Sequence, residues 1–207
     1  MKRILLALLL VLGAGPLLAG EEGPNAGITL YTITPEGVLL LVADHAAVPQ
    51  GPDRGWASFG GTHEPGETSI QTAARETEEE THGYFKRADL EKALAGQKPA
   101  VDGTFDMYFL EVPRVEIADI LNTPIPEAHD YHERGPYAWI PLAEIEPHLV
   151  SDEATKGHPK IDAKYLPAER QTDWFWSVWL NNLRIAKTSG NAGWQKIEAA
   201  ATVVETK

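Results

Sequence analysis

The chain has no cysteine and is short of positive charge, with 18 Lys+Arg against 30 Asp+Glu in 207 residues and a formal net charge of -12. Each shortage excludes a class of function. Without cysteine there is no disulfide scaffold, no thiolate zinc site, no iron–sulfur cluster and no cysteine nucleophile. Phosphate contacts need clustered Lys and Arg, so the acidic balance argues against a nonspecific nucleic-acid binder. Long apolar runs are also missing beyond the first twenty residues, and no membrane span is expected in the body of the chain. What is present is 43% hydrophobic and 23% charged, the balance of an ordinary globular protein. The length suits one domain with some decoration and a core that needs no staples. The surplus carboxylates are available as ligands for hard cations.

Residues 1–20 read MKRILLALLLVLGAGPLLAG. Lys2 and Arg3 give a basic start, and residues 4–12 are an unbroken apolar run too short to span a bilayer. Gly13, Gly15 and Pro16 break it, and Ala19 and Gly20 supply small residues for cleavage. This is the anatomy of a secretory signal peptide over residues 1–19, and it implies an exported protein, periplasmic or secreted. The alternative is an uncleaved anchor, which the short run disfavours. No cysteine follows, so lipid attachment is excluded. Loss of Lys2 and Arg3 leaves 16 basic residues facing 30 acidic ones, a net charge of -14.

Along the mature chain, residues 28–33 and 38–43 are β-branched and apolar, with Thr34-Pro35-Glu36-Gly37 between them, and predict a hairpin. Residues 44–55 carry Pro and Gly clusters and predict a loop. A short strand is expected over 56–59, and the best helix over 68–82, with Ile70, Ala74, Thr77 and Thr81 as a weakly apolar stripe. Further expectations are a short helix over 87–95, strands over 105–112 and 137–140, and a short helix over 142–148. A long loop over 151–169 leads to a helix over 171–187 bearing Trp174, Trp176 and Trp179. Strands interspersed with helices indicate an α/β domain.

The informative stretch begins Gly60-Gly61-Thr62-His63-Glu64-Pro65-Gly66-Glu67 and continues with Arg75-Glu76-Thr77-Glu78-Glu79-Glu80. Glu76, Glu79 and Glu80 stand at i, i+3 and i+4 and share one helix face. Three carboxylates on one face repel each other, and a cation between them removes that cost. Oxygen ligands of high negative charge select Mg²⁺ or Mn²⁺ over softer metals. The glycines ahead let backbone groups approach the same place closely. A run of charges is ordinarily a solvated face. It does not ordinarily arrive with Gly-Gly, Pro-Gly-Glu and Arg-Glu at fixed offsets.

This stretch closely resembles the Nudix box, G-x5-E-x7-R-E-U-x-E-E-x-G-U, in which U is a bulky apolar residue. Gly61, Glu67, Arg75, Glu76, Glu79 and Glu80 fall in register. The hairpin, Trp56 and Trp139-Ile140-Pro141-Leu142 extend the likeness over roughly residues 27–150. The resemblance implies a Nudix-type α/β/α sandwich with a mixed sheet. Residues 151–207 would be a C-terminal helical extension packing on or beside it. It also implies a hydrolase that splits a diphosphate linked to a second group, usually in a nucleoside diphosphate derivative such as an ADP-ribose-like compound. Glu76, Glu79 and Glu80 would ligate Mg²⁺ or Mn²⁺ with the Gly61 carbonyl, and Arg75 would pair with Glu67. The general base would be Glu76 or a glutamate from a later loop, with Glu133 ahead of Glu127. The rival from another class is a ligand-binding module of this fold without turnover.

Two departures from the box stand out. Thr77 replaces the large aliphatic. The terminating glycine arrives one position late, as Gly83, and a helix extended by one residue with Gly83 in the left-handed cap would absorb the shift. Arg54, Lys86, Arg87 and Arg134 are candidate contacts to substrate phosphate. His129 and His132 could hold a transition metal, but a polar loop is the better reading. Trp176, Leu180 and Leu183 form a helical stripe that favours packing over base stacking. The expected partner is a small-molecule diphosphate, with no nucleic acid and no stable membrane span after signal cleavage. The oligomeric state is open, a homodimer included.

Overall fold

The turn at Pro35-Glu36 joins β1 (Asn25–Thr34) to β2 (Gly37–Asp44) in antiparallel register, with Thr34 opposite Gly37. The structure, a computed structural model, describes residues 23–45, 54–102, 105–127 and 135–205. The segment read as a signal peptide lies outside the described residues, as do His129, His132, Glu133 and Arg134. The chain continues through β3 (Trp56–Ala57), β4 (Phe59–Gly61), α1 (Ser69–Glu80), α2 (Arg87–Leu94), β5 (Ala100–Asp102) and β6 (Phe105–Glu111). Then come α3 (Ile117–Leu121), β7 (Tyr137–Pro141), α4 (Leu142–Ile145), α5 (Ser177–Thr188) and α6 (Ala192–Glu205). The sheet runs β3-β2-β1-β6-β5, with β4 also paired to β1 and β7 also paired to β2. Only the β1–β6 pairing is parallel among these, so the sheet is mixed.

Side chains alternate across a strand, and here both faces are apolar. Ala26, Ile28, Leu30, Leu41, Ala43, Tyr108 and Trp139 meet Ala73 and Ala74 of α1 and Leu90 and Leu94 of α2. Their alternates Tyr31, Leu40, Val42, Met107, Phe109 and Ile140 meet Trp179, Leu180 and Leu183 of α5 and Trp194 and Ile197 of α6. Helices thus cover both faces, and the α/β/α sandwich is the observed architecture. Each large apolar side chain so buried contributes roughly 1.5–3 kcal/mol.

Several element boundaries differ from the sequence expectation. The 56–59 strand splits at Ser58, because β3 pairs with β2 whereas β4 pairs with β1. The 171–187 helix begins only at Ser177. Residues ahead of it are drawn into the sheet's edge instead. The Trp56 N–H donates to the Trp174 carbonyl at 2.8 Å, and the Trp176 N–H donates to the Trp56 carbonyl at 2.9 Å. The buried Asp44 carboxylate accepts the N–H groups of Gln171 and Thr172, both at 2.9 Å, and the Thr172 hydroxyl at 3.0 Å. The 142–148 helix is α4 followed by a 3₁₀ turn at Glu146–Leu149. Strand β5 and helices α3 and α6 have no counterpart in the sequence reading.

The end of α1 is a further correction. The helix is not extended by a residue. It stops at Glu80, and His82 itself adopts the left-handed conformation at φ 56, followed by Gly83 at φ 75. The Gly83 N–H reaches the Glu78 carbonyl at 2.7 Å and the His82 N–H reaches the Glu79 carbonyl at 3.1 Å. That is a Schellman ending with histidine where glycine is usual.

Candidate active site

Helix α1 is pinned at both ends. At its start the Thr68 hydroxyl accepts the Gln71 N–H and the Gln71 side chain accepts the Thr68 N–H, a capping box. Its buried face is Thr72, Ala73, Ala74, Thr77 and Glu80, mostly small residues that let the helix axis lie close to β1 and β4. Thr77 is fully buried, and its hydroxyl donates to the Ala73 carbonyl at 2.7 Å. The residue that departs from the box is thus accommodated without an orphaned polar atom.

The remaining faces carry the charged cluster. Arg75 Nε lies 3.1 Å from Glu67, its Nη1 lies 3.0 Å from Glu76 and 2.9 Å from Glu79, and its Nη2 donates to the Thr62 carbonyl at 2.7 Å. Glu80 turns the other way and accepts the Gly60 N–H of β4 at 2.9 Å. Burial would ease the proton off Arg75, but the hydrogen bond to Glu67 and the charges of Glu76 and Glu79 outweigh it and hold the guanidinium charged. Burial also pushes Glu67 upward, yet hydrogen bonds from Arg75, the Glu64 N–H and Thr72 bring it below the usual range. Glu76 goes the opposite way. Its burial, followed by repulsion from Glu80, pushes it up to about 8 despite the nearby Arg75.

Among the described residues, no group of three or more acidic or histidine side chains is arranged to hold a metal ion. Glu76 and Glu79 face Arg75, and Glu80 faces Gly60. The donor chemistry nevertheless fits a hard divalent cation. One guanidinium serves three carboxylates, and Glu76 is held under an electrostatic penalty that a cation would remove. A Cβ on residue 61 would meet the Glu76 carboxylate, so glycine there leaves that carboxylate its place beside β4.

The structure links Glu67, Arg75, Glu76 and Glu79 directly, sets Gly61 beside Glu76, and leaves Glu80 turned toward Gly60. Lys86, 3.9 Å from Glu78, and Arg87 line a shallow groove of about 380 Å³ between α1 and α2, with Ala88 and Glu91. Arg54 lies over the Trp176 ring, 5.1 Å from its centroid. Glu127 is exposed. Trp179 is core, and Trp174 is flanked by His158 and Lys160. The sequence offers Arg87 only as a candidate phosphate contact and Tyr137 only as part of a strand, and two of their contacts escape it. Arg87 Nη2 sits 3.3 Å from Glu67, and the Tyr137 hydroxyl donates to the Glu80 carbonyl at 2.8 Å. The only available signal was position: Arg87 opens a helix shortly after the box, and Tyr137 opens the strand that carries Trp139.

A family model described as NUDIX domain matches residues 23–165. A comparison with curated proteins gave no match. Among solved structures, a crystal structure of a C. elegans Ap4A hydrolase binary complex is similar at 16% identity with a TM-score of 0.31, covering 57% of this chain and 80% of that one. At that distance it says nothing of what this chain acts on. The family match spans more than half of the chain and contains the whole glutamate site, so this protein belongs to the NUDIX domain family and is a Nudix hydrolase.

Proposed function

We propose that this hydrolase cleaves a phosphoanhydride bond in a nucleoside diphosphate linked to another group, an ADP-ribose-like compound or a related derivative. It would do so with Mg²⁺ or Mn²⁺ and outside the cytoplasm. The observation that carries the reading is the Glu67–Arg75 pair holding Glu76 and Glu79 beside the glycine pair of β4, with Glu80 on the same helix. Glu76, Glu79, Glu80 and the Gly61 carbonyl would hold the ion. Bound there, a divalent ion supplies positive charge to the phosphate oxygens as water attacks phosphorus. Arg75 keeps two of the carboxylates in place from behind. Glu76 is the proposed proton acceptor for the attacking water, with Glu133 and then Glu127 as the alternatives. Lys86, which lines the α1–α2 groove, is the proposed contact for an anionic substrate, with Arg54 and Arg134 as the other proposed phosphate contacts.

Export rests on residues 1–19, whose charge, apolar run and small-residue end match a signal peptide. It favours extracellular nucleotide derivatives as substrates. No helix among the described residues is long and apolar enough to cross a membrane. The test is a panel of ADP-ribose, dinucleoside polyphosphates, nucleotide sugars and NADH, with Mg²⁺ or Mn²⁺ at high enzyme. Metal-dependent turnover of at least one is expected, and none with any compound would refute the reading. Fractionation of the host tests export, and a mature protein confined to the cytosol would refute that part.

A further inference from the structure

We propose that Arg87, which lies outside the box motif, is a positioning residue for the metal site, acting through Glu67. This rests on the metal reading above. Glu67 is gripped from three elements at once. Its own loop supplies the Glu64 N–H at 3.1 Å. Helix α1 supplies the Thr72 hydroxyl at 3.0 Å and Arg75 Nε at 3.1 Å. Helix α2 supplies Arg87 Nη2 at 3.3 Å. Arg87 is in turn fixed by Glu91, one turn further along α2, with Nε 2.7 Å from the carboxylate.

Charge bookkeeping explains why a second guanidinium is needed. Arg75 alone faces Glu67, Glu76 and Glu79. Arg87 gives Glu67 a cation of its own, so Glu67 holds the Nε side of Arg75 without drawing the Nη1 side away from Glu76 and Glu79. The guanidinium fork makes this possible. Its Nε and Nη2 serve Glu91 and Glu67 simultaneously, and a lysine ammonium, a point charge on a flexible stem, does not reproduce that span. Groups that orient ligands without touching the ion typically change metal affinity by about 10–100-fold when removed.

Arg87→Lys is the informative variant, because it keeps the charge and changes only the geometry. Mn²⁺ is titrated into purified wild type and R87K, and binding is read by calorimetry. An R87K affinity weaker by about threefold or more supports the proposal, and a smaller change overturns it. If R87K does not fold, Glu91→Gln, which frees the outer end of Arg87, is held to the same threshold. A raised KM for a diphosphate substrate with unchanged Mn²⁺ affinity would make Arg87 a substrate contact and overturn the positioning role. Absence of Mn²⁺ binding to the wild type would instead refute the metal reading itself, and this proposal with it.

Discussion

The hydroxyl of Tyr137 on β7 donates a 2.8 Å hydrogen bond to the backbone carbonyl of Glu80, the last residue of α1. The last carbonyls of a helix lack intrahelical partners. Here a side chain from a distant strand satisfies one of them and so fixes the depth at which Glu80 meets Gly60. Tyr137→Phe should cost about 1–2 kcal/mol, because a buried acceptor loses its donor. It should also lower kcat/KM about three- to tenfold by loosening the end of the helix that bears Glu80. Unchanged melting and unchanged rate in Y137F would show that the bond holds nothing in place.

His82 holds a left-handed backbone where glycine is usual, and its ring packs edge-on against Tyr137 at 5.5 Å between centroids. A non-glycine residue in this conformation is strained by roughly 1–2 kcal/mol. Glycine relieves the strain and loses the ring, whereas alanine keeps the strain and loses the ring. Denaturant unfolding should therefore find His82→Gly more stable than His82→Ala by about 1 kcal/mol. Equal stabilities, or the reverse order, would show that the backbone is not strained there.

Glu76 links stability to pH. Burial, then repulsion from Glu80, raises it from 4.5 to about 8 in the folded state. The metal-free protein therefore takes up a proton on folding at neutral pH, and the Glu76 contribution is full below its unfolded value. It is lost as the pH rises through about 8. Glu67 is shifted downward and acts only on the acid side, its contribution falling away as the pH drops. Between about pH 6 and about pH 8.5 the metal-free melting temperature should fall by about 5 °C, for roughly 2 kcal/mol. Mg²⁺ should restore more of it at the alkaline end, and Glu76→Gln should abolish the slope. A metal-free melting temperature that rises across this window would contradict the assignment.

Asp44 anchors the segment leading into α5 through three bonds from Gln171 and Thr172. Asp44→Ala leaves those donors without their acceptor in a buried place and should cost about 3 kcal/mol in urea unfolding. A loss below about 1 kcal/mol would mean that apolar contacts alone hold the segment.

What could be read from the sequence was what is written locally. The hairpin follows from two β-branched, apolar runs on either side of a Thr-Pro-Glu-Gly turn, and the glutamate site follows from a motif whose members lie on one helix and the loop before it. Strand β5 is three residues long, too short for alternation to register. The start of α5 is set by Trp56 and Asp44, more than a hundred positions away, so the run from Gln171 looked helical until its backbone was claimed by the sheet edge. The same holds for Tyr137 and Arg87, which reach the site only through tertiary packing. His82 was misread for a different reason. The box sets its left-handed glycine at that point, and Gly83, which is left-handed too, drew the whole assignment to itself.

The central claim is that the box glutamates hold the divalent ion of a diphosphate hydrolase. Its most direct test is the rate of Glu79→Gln with Mg²⁺, on whichever panel substrate the wild type turns over. E79Q preserves shape and removes the charge. The expected result is a fall of about 100-fold or more in kcat/KM with the fold intact by circular dichroism. A fall of less than about tenfold would contradict the assignment of Glu79 as a metal ligand.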